Sequence, residues 1–242
     1  MELLTPHWPV PSHIKAVATT RIGGYSQGPY AGLNLGDHVG DQPSHVAANR
    51  AQLLEQLDLE QSQWLTQVHG TRCIEALPVS LHIAPEADAC YTSQAQLACV
   101  IMTADCLPVL FTDGERVGAA HAGWRGLADG VLETTLEAFE RAHTSVWLGP
   151  AIGPAAFEVG DEVREQFCQC LAASEQYFVP SVNAGKWLAD IYGLARLRLA
   201  AAGVTQVYGG GLCTFTDAVR FFSYRRDRTT GRMATLIWKT AA

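Results

Sequence analysis

Long apolar runs and long basic runs are both missing from this sequence of 242 residues. No apolar stretch approaches the roughly 20 residues that a membrane-spanning helix needs, so we expect no membrane contact. The first nine residues contain neither a basic segment nor an apolar core, and we therefore expect no signal peptide. The formal charge of −7 argues against non-specific nucleic-acid binding, although a local basic site is compatible with it.

The cysteines do not form a disulfide pattern. Seven is an odd number, and without a secretory context it favours reduced thiols in the cytosol. Apolar residues make up 48% of the chain and charged residues 17%, which is enough to bury a sizeable core. We expect a soluble, cytoplasmic, monomeric globular protein.

Two nucleotide-site signatures are also missing. The glycine-rich loop after residue 21 lacks the Gly-Lys-Ser/Thr ending of a phosphate-binding P-loop. The His-x-Glu and Pro-Cys-x-x-Cys signature of cytidine deaminases is absent. Any deaminase chemistry here must use a different arrangement.

Cys106 lies at a polar corner between two apolar segments, residues 97–102 and 107–111. The first segment predicts a buried strand. Pro108 lacks an N–H group, which argues against a central strand position for the second segment. A thiol in such a break has a fixed backbone and access to solvent.

His69 and His121 stand in similar surroundings, each at the end of a short apolar segment and beside glycine or alanine. With Cys106 they supply one thiolate and two imidazoles, a ligand set for a zinc ion with one open position. Two simpler interpretations stay open. A buried cysteine is usually a small hydrophobic residue, and an isolated histidine is usually a packing or surface residue.

The glycine-rich loop after the first predicted strand carries three further candidates. Arg21, Ser26 and Asn34 offer a cation, a hydroxyl and an amide that together suit an anion or a ribose. The alternative is a plain connector with a solvated arginine.

Two more arginines are candidates for phosphate binding. Arg125 lies at the predicted start of a helix close to His121, where a helix N-terminus favours an anion. Arg225 begins a basic segment, residues 225–232, whose guanidinium groups match phosphate oxygens. The alternative for that segment is a solvated hairpin tip.

Strands and helices alternate along the chain, without an internal repeat or a linker. Helical periodicity is clearest over residues 45–57, 127–139, 159–171 and 186–202, and strands are predicted at 13–20, 64–68, 73–77, 116–122 and 233–238. The pairing of 64–68 with 73–77 is predicted to be a hairpin, and 221–224 is predicted to belong to the last sheet. This alternation favours one α/β domain over residues 1–242.

Seven motifs follow one another in a distinctive order. They are Thr19-Thr-Arg21 with Gly23-Gly24, Asn34-Leu-Gly-Asp-His-Val-Gly-Asp41, Gln67-Val-His69-Gly, Thr103-Ala-Asp-Cys106-Leu-Pro, His121-Ala-Gly-Trp-Arg-Gly126, Gly149-Pro-Ala-Ile-Gly-Pro154 and Phe222-Ser-Tyr-Arg-Arg226. Together they resemble the YfiH family, also called laccase-domain or multicopper polyphenol oxidase-like proteins. The likeness covers almost the whole chain.

The resemblance implies a fold, a metal and an activity. The expected fold is a four-layer α/β/β/α sandwich with mixed sheets, and the expected metal is zinc held by His69, Cys106 and His121. The implied activity is purine nucleoside phosphorolysis, with adenosine deaminase and methylthioadenosine phosphorylase activities beside it. A link to peptidoglycan editing is also implied.

The chemistry can be argued from the residues as well. Phosphorolysis needs phosphate held near the sugar, which arginines and a metal can supply. Deamination needs a water activated near neutral pH, which an open-site zinc provides. Asp105 is the carboxylate nearest to Cys106 in sequence and is our candidate proton shuttle, although strand alternation could also turn it away.

Two rival enzyme classes stay open, beside a non-catalytic binding role. A cysteine hydrolase would use Cys106 as nucleophile and His121 as base. A copper-dependent polyphenol oxidase would need many more ligands than eight histidines without a His-x-His pair provide.

Overall fold

The computed structural model describes residues 1–78 and 84–241, and its strands form two large sheets and one small sheet. The five-stranded sheet contains, in spatial order, β1 (Leu3–Leu4), β2 (Ile14–Thr19), β14 (Met233–Lys239), β6 (Leu97–Thr103) and β3 (Gln61–Gln63). The six-stranded sheet contains β13 (Gln206–Gly209), β9 (Ser145–Leu148), β7 (Leu107–Thr112), β8 (Val117–Ala122), β5 (Ala89–Thr92) and β4 (Cys73–Glu75). The small sheet contains β10 (Glu158–Gly160), β12 (Lys186–Ala189) and β11 (Phe178–Pro180).

The described chain contains six α-helices; the first five lie on the outer faces of the large sheets, and the sixth lies beside the Cys106 corner. They are α1 (Pro43–Gln56), α2 (Trp124–Asp129), α3 (Val131–Leu136), α4 (Asp161–Cys170), α5 (Ile191–Ala201) and α6 (Tyr224–Asp227), with short 3-10 turns at Gly28–Tyr30, Arg141–His143 and Ala172–Tyr177. None of these helices has the length and apolar character that crossing a bilayer requires.

Alternating residues of β6 show how the inner layers stack. Cys99 and Ile101 pack between the two large sheets. Ala98 and Val100 point the opposite way and pack with Leu53 of α1. Because successive side chains of a strand alternate between faces, one buried strand serves both layers.

The outer face of the six-stranded sheet is covered in the same way. Val109 of β7 and Val146 of β9 pack in one cluster with Leu132 of α3 and Leu194 of α5. The layers are therefore α1, the five-stranded sheet, the six-stranded sheet and the helices α2–α5. Both large sheets mix parallel and antiparallel pairs, which confirms the predicted α/β/β/α sandwich with mixed sheets.

The expectation for Pro108 was wrong, because β7 lies in the middle of its sheet between β9 and β8. Pro108 pairs with His121 on one side, and the register with β9 begins only at Val109. Its carbonyl accepts from the Gly149 N–H. The missing N–H is tolerated because the Gly149 carbonyl accepts instead from the hydroxyl of Tyr192.

Two short strands also differ from the prediction. The first is β3, which ends at Gln63, so residues 64–68 form an irregular connection. The connection ends at a buried carboxylate, because Asp88 accepts from the backbone N–H groups of Val68, His69 and Gly70. The second is β4, which pairs in parallel with β5 and is not the return arm of a hairpin.

Three helical segments were predicted too long. Residues 186–189 form β12, and Asp190 then caps α5 by accepting from the backbone N–H groups of Tyr192 and Gly193. Residues 158–160 similarly form β10 before α4 begins. Gly130, at φ 105°, divides the predicted helix over 127–139 into α2 and α3.

The basic segment after residue 224 begins as a helix and is not a hairpin tip, because α6 covers Tyr224–Asp227 and residues 228–232 lead irregularly into β14. Ser223 caps α6 by accepting from the Arg226 N–H, and no strand forms at 221–224. This helix brings Tyr224 and Arg225 next to the corner that carries Cys106. The single-domain organisation of residues 1–242 stays a prediction.

Candidate active site

The three proposed metal ligands meet where the chain crosses from one large sheet to the other. Cys106 lies in the connection between β6 and β7, which belong to different sheets. His121 lies on β8, opposite Pro108 of β7. His69 comes from the irregular connection between β3 and β4. Pairing of β7 with β8 brings His121 to the Cys106 corner, and the His69 segment reaches the same point without being part of a strand.

The ligand atoms of His69, Cys106 and His121 lie within 4.8 Å of one another. The distance from Cys106 Sγ to His69 Nε2 is 3.8 Å, and the two imidazole rings meet edge to face with centroids 4.7 Å apart. A tetrahedral zinc with bonds of about 2.0–2.1 Å to nitrogen and 2.3 Å to sulfur holds its ligand atoms about 3.3–3.6 Å apart. The set therefore fits a metal ion after small side-chain adjustments.

Asp88 holds both histidine segments and was not identified from the sequence. Its buried carboxylate lies 2.8 Å from Nδ1 of His121, which leaves Nε2 of that ring for a metal. It also accepts from the backbone N–H groups of Val68, His69 and Gly70. A carboxylate behind a histidine fixes the ring's tautomer and orientation in many metal sites.

The electrostatics of the cluster favour a thiolate. Burial raises the pKa of Cys106, but the charge of His121 and hydrogen bonds from His121 and His69 lower the pKa to about 6. Burial lowers the pKa of His121, but Cys106 and Asp88 raise it to about 9. The thiolate is the form of cysteine that binds metals and attacks electrophiles, so the site is prepared for either role.

Two non-glycine residues at the site have a left-handed backbone. They are His69, at φ 62°, and Asp105, at φ 97°. Such residues cost on the order of 1–3 kcal/mol each and persist where surrounding bonds hold them. Asp88 supplies those bonds for His69, and the strained positions adjoin the proposed ligands.

Gly123 leaves room for the cluster. A Cβ at this position would lie 2.8 Å from Cδ2 of His69 and 3.2 Å from Sγ of Cys106. Only glycine lets the backbone pass so close to both ligands. This space would otherwise be filled by a side chain, so the geometry supports the proposed metal set.

The carboxylate of Asp105, our candidate proton shuttle, is heavily bonded. It accepts from the hydroxyls of Thr214 and Ser223 at 2.6 and 3.0 Å, and from the backbone N–H of Arg225 at 2.6 Å. These contacts join the Cys106 corner to α6. The carboxylate therefore anchors the corner, and its part in proton transfer stays a prediction.

Ser26 and Asn34 are buried and lie beside each other, but their polar groups are used internally. Both donate to Asp41, at 2.6 and 2.9 Å, and the Ser26 oxygen accepts from Asn49. The amide oxygen of Asn34 accepts from the backbone N–H of Arg232. The network thus supports the segment that carries Arg232, and direct contact of Ser26 or Asn34 with a substrate stays a prediction.

Arg21 lies against the same part of the chain. Its guanidinium group stacks on Phe222 at 4.5 Å and donates to the carbonyls of Ala31 and Ala218. Burial lowers its pKa, while Asp227 raises it and Arg226 lowers it further. It does not line either of the cavities that adjoin Cys106.

Two cavities adjoin Cys106. One is about 160 Å³ and largely apolar, and its walls include Trp124, Ile152, Phe157, Ile191 and Arg225. The other is about 410 Å³ and more polar, and its walls include His38, Gln67, His69, His121 and Arg232. Ala104, Cys106 and Tyr224 line both, so one ligand can reach across the sulfur from an apolar to a polar environment.

Arg125 and Arg225, the two predicted phosphate ligands, come together in a third cavity beside the apolar one. Arg225 is fixed at both ends, because its backbone N–H binds Asp105 and its Nη1 donates to the carbonyl of Glu158 at 2.7 Å. Arg125 is exposed and stacks on Trp124 at 4.4 Å.

Three site residues, Gln67, Asp88 and Tyr224, were not predicted from the sequence, and Arg232 was predicted only as part of the basic segment 225–232. Gln67 exchanges two 2.8 Å hydrogen bonds with the backbone of Met102, which fixes the segment before His69. The signals that point to these residues are a charged Asp88 between two alanines and the position of Gln67 two residues before His69. Nothing local distinguishes Tyr224, since tertiary packing alone places it at the site.

A four-layer α/β/β/α sandwich with a His–Cys–His cluster at the crossover between its sheets defines the class of protein. The chain belongs to the family described as multi-copper polyphenol oxidoreductase laccase, whose model matches residues 15–240. This confirms the resemblance based on the sequence motifs.

Proteins similar to this chain carry consistent names. A purine nucleoside phosphorylase of Pseudomonas aeruginosa is 55% identical over 239 residues, with 97% of both chains covered. The purine nucleoside phosphorylase YfiH of Escherichia coli is 50% identical over 242 residues, with 98% of both covered.

Solved structures show the same fold. A Neisseria meningitidis protein is 48% identical, with a TM-score of 0.95 over all of both chains. YlmD from Geobacillus stearothermophilus is 34% identical, with a TM-score of 0.86 over 95% of this chain and 93% of that one.

Proposed function

We propose that the chain is a zinc-dependent purine nucleoside phosphorylase, which converts a nucleoside and phosphate to a free base and ribose 1-phosphate. The observation that carries the proposal is the convergence of His69, Cys106 and His121 between an apolar and a polar cavity. Relatives named purine nucleoside phosphorylase, at 50–55% identity over nearly the full chain, support the substrate class.

The metal would be held by the three side chains that meet at the crossover. One thiolate and two imidazoles suit zinc and leave a fourth position open, where the bound ion would act as a Lewis acid. Among the described residues no second cluster of this kind occurs, which favours zinc over the several copper ions of a polyphenol oxidase. Asp88 orients His121, and Gly123 keeps the cluster accessible.

The nucleoside is placed by the character of the two cavities. The base suits the polar cavity, where Gln67 and Arg232 offer polar groups for the purine edge, and Tyr224 lines both cavities. The ribose suits the apolar cavity, whose wall includes Arg225 and continues into the third cavity. Cys106 lies between the two, so the glycosidic bond would lie next to the proposed metal.

Phosphate must reach the sugar in a chain that is negatively charged overall, so a local cation is required. Arg225 meets this need best, because it lines the cavity at Cys106 and its position is fixed by Asp105 and Glu158. Arg125 is its neighbour. A guanidinium clamp on phosphate gives charge-assisted bonds that orient as well as hold the anion.

Adenosine deamination and methylthioadenosine phosphorolysis would use the same site. An open coordination position next to the base suits water activation, and the apolar cavity suits a sugar that carries a thioether. Peptidoglycan editing stays a prediction, as do the monomeric state and the cytoplasmic location.

One observation favours a second function. Cys106, His121 and Asp88 form a nucleophile–imidazole–carboxylate chain of the kind that cysteine hydrolases use. A hydrolase, however, has no need for His69 at 3.8 Å from the sulfur. Stoichiometric zinc that protects Cys106 from iodoacetamide supports the phosphorylase, whereas a reactive Cys106 in zinc-containing protein supports the hydrolase.

Product analysis tests the proposal. Purified protein with adenosine and phosphate should release adenine and ribose 1-phosphate, and without phosphate it should release only inosine. Both reactions should fall together in His69→Ala, and Arg225→Ala should depress phosphorolysis far more than deamination. Phosphorolysis that survives complete removal of zinc would contradict the shared site.

A further inference from the structure

The third cavity extends away from Cys106 and is lined by cations. It is about 500 Å³, larger than the apolar cavity, and shares Trp124, Phe157 and Arg225 with it. Beyond the shared wall it adds Lys186 and Arg228, which are exposed. A ligand at Cys106 can therefore continue directly into this cationic cleft.

The four cations of the cleft outnumber its two carboxylates, Glu158 and Glu162. Within the part of the chain that the structure describes, no side-chain ion pair involves Arg125, Lys186, Arg225 or Arg228. Four like charges that share one cleft repel one another, and an anionic ligand relieves that repulsion.

The two carboxylates of the cleft are turned to other partners. One oxygen of Glu158 accepts from Ser181 and Asn183 at the small sheet. Glu162 folds back over Gly160, so that a Cβ on that glycine would lie 2.0 Å from a carboxylate oxygen. Gly160 has no side chain to cap α4, and the Glu162 carboxylate lies beside the start of that helix, where a negative charge is favoured.

We propose that this cleft binds a phosphate group carried by the ligand itself, so that nucleoside 5′-phosphates occupy the site more tightly than nucleosides. The inference rests on the proposed nucleoside site at Cys106. Inorganic phosphate needs only the inner end at Arg225, whereas Lys186 and Arg228 lie beyond it and suit the phosphate at the far end of a nucleotide. The subsite thus widens the ligand class from nucleosides to nucleotides.

Calorimetric titration of the zinc-containing full chain in phosphate-free buffer tests this, with inosine and inosine 5′-phosphate as probes. Inosine cannot be deaminated, and binding is read without turnover. The nucleotide should bind at least about tenfold more tightly than inosine, because its phosphate can form charge-assisted hydrogen bonds with Lys186 and Arg228 that inosine cannot form. The double variant Lys186→Ala/Arg228→Ala should lose this preference while its affinity for inosine stays the same.

Two further variants sharpen the result. Lys15→Ala/Arg141→Ala removes the same two charges from exposed positions outside the cleft and should keep the preference. Glu162→Gln removes the competing carboxylate and should tighten binding of the nucleotide several-fold, with inosine unaffected.

Three outcomes would overturn the proposal. The first is equal affinity of wild type for inosine and its 5′-phosphate. The second is a preference that survives in Lys186→Ala/Arg228→Ala or does not increase in Glu162→Gln. The third is a raised KM for inorganic phosphate in the double variant with the nucleotide preference intact, which would make the cleft a cosubstrate site only. If the proposed phosphorylase function is wrong, the product analysis will show it. The binding measurements do not depend on turnover and test the cleft independently.

Discussion

The Asp88 carboxylate lies 2.8 Å from Nδ1 of His121, and both side chains are buried. The same carboxylate accepts from three consecutive backbone N–H groups, including that of His69. One residue thus fixes the orientation of a strand histidine and of a loop histidine that lie far apart in sequence. Asp88 therefore holds two of the three proposed metal ligands, His69 and His121, in position through hydrogen bonds.

Asp88→Asn should lower zinc affinity about 10- to 100-fold, as expected when a partner behind a ligand histidine is lost. An amide has one acceptor oxygen and would face the donors with its own N–H groups. Chelator competition, read as zinc released, measures the effect independently of activity.

Asp129→Asn is a suitable control, because this exposed carboxylate accepts only from Gln166 among the described side chains. It should bind zinc like the wild type. Normal zinc affinity in Asp88→Asn would show that the carboxylate serves folding alone.

The sequence predicts the three proposed ligands because His69 and His121 stand beside glycine or alanine and Cys106 stands at a polar corner. Their long separations become short because β7 pairs with β8 and Asp88 holds the His69 segment. The sequence does not predict Asp88, because three of its partners are backbone N–H groups that any residue type would offer. Pro108 shows a second limit, since the local rule against central proline fails where a tyrosine hydroxyl from α5 replaces the missing donor.

The predicted helix lengths were wrong for a related reason. Residues 186–189 have an apolar pattern compatible with a helix, but pairing with β10 and β11 makes them a strand. Tertiary pairing overrides a local pattern whenever a neighbouring strand offers backbone partners. The cavities around Tyr224 depend on such long-range contacts and are not visible in the sequence.

Gly123→Ala should displace the metal while the fold persists. The backbone at Gly123 has φ −61°, so alanine is not strained there, but its Cβ would lie 2.8 Å from His69 and 3.2 Å from Cys106 Sγ. Elemental analysis should show zinc well below one per chain, with circular dichroism unchanged.

Gly70→Ala is the matched control in the same corner, since its Cβ would meet Asp88 at 3.4 Å, an ordinary contact. This variant should retain zinc. If Gly123→Ala also retains full zinc, the close approach of backbone and ligands is not needed for binding.

The Asp41 carboxylate should make stability depend on pH. Burial raises the pKa of Asp41, but hydrogen bonds from Asn34, Ser26 and the Gln42 N–H lower it below its ordinary value. A group whose pKa is lower in the folded state stabilises the fold above its unfolded pKa, near 4, and loses this contribution as pH falls through the folded pKa.

Asp41→Asn should therefore reduce the free energy of unfolding by about 2 kcal/mol at pH 7, in line with hydrogen bonds to a charged group. The difference from wild type should shrink below pH 4. Urea unfolding at pH 7 and pH 3 measures it, and Asp129→Asn again serves as control. A difference that is the same at both pH values would contradict the linkage.

Tyr224 should bind the purine by stacking. Its side chain is half exposed and lines both cavities at Cys106, and the guanidinium groups of Arg228 and Arg232 lie 5.7 and 5.9 Å from its ring. An aromatic ring at an open cavity wall presents a face to a planar ligand, and stacking of one base is worth about 1–3 kcal/mol.

Tyr224→Ala should accordingly raise the KM for inosine about tenfold, which corresponds to about 1.4 kcal/mol. Tyr224→Phe keeps the ring and should stay close to wild type, which separates stacking from any role of the hydroxyl. Zinc content and the KM for phosphate should be unchanged in both variants, because Tyr224 is not among the proposed ligands. Since the ring is half exposed, its loss should hardly affect stability. An equal loss in Tyr224→Phe would assign the effect to the hydroxyl, and an unchanged KM in Tyr224→Ala would place the base elsewhere.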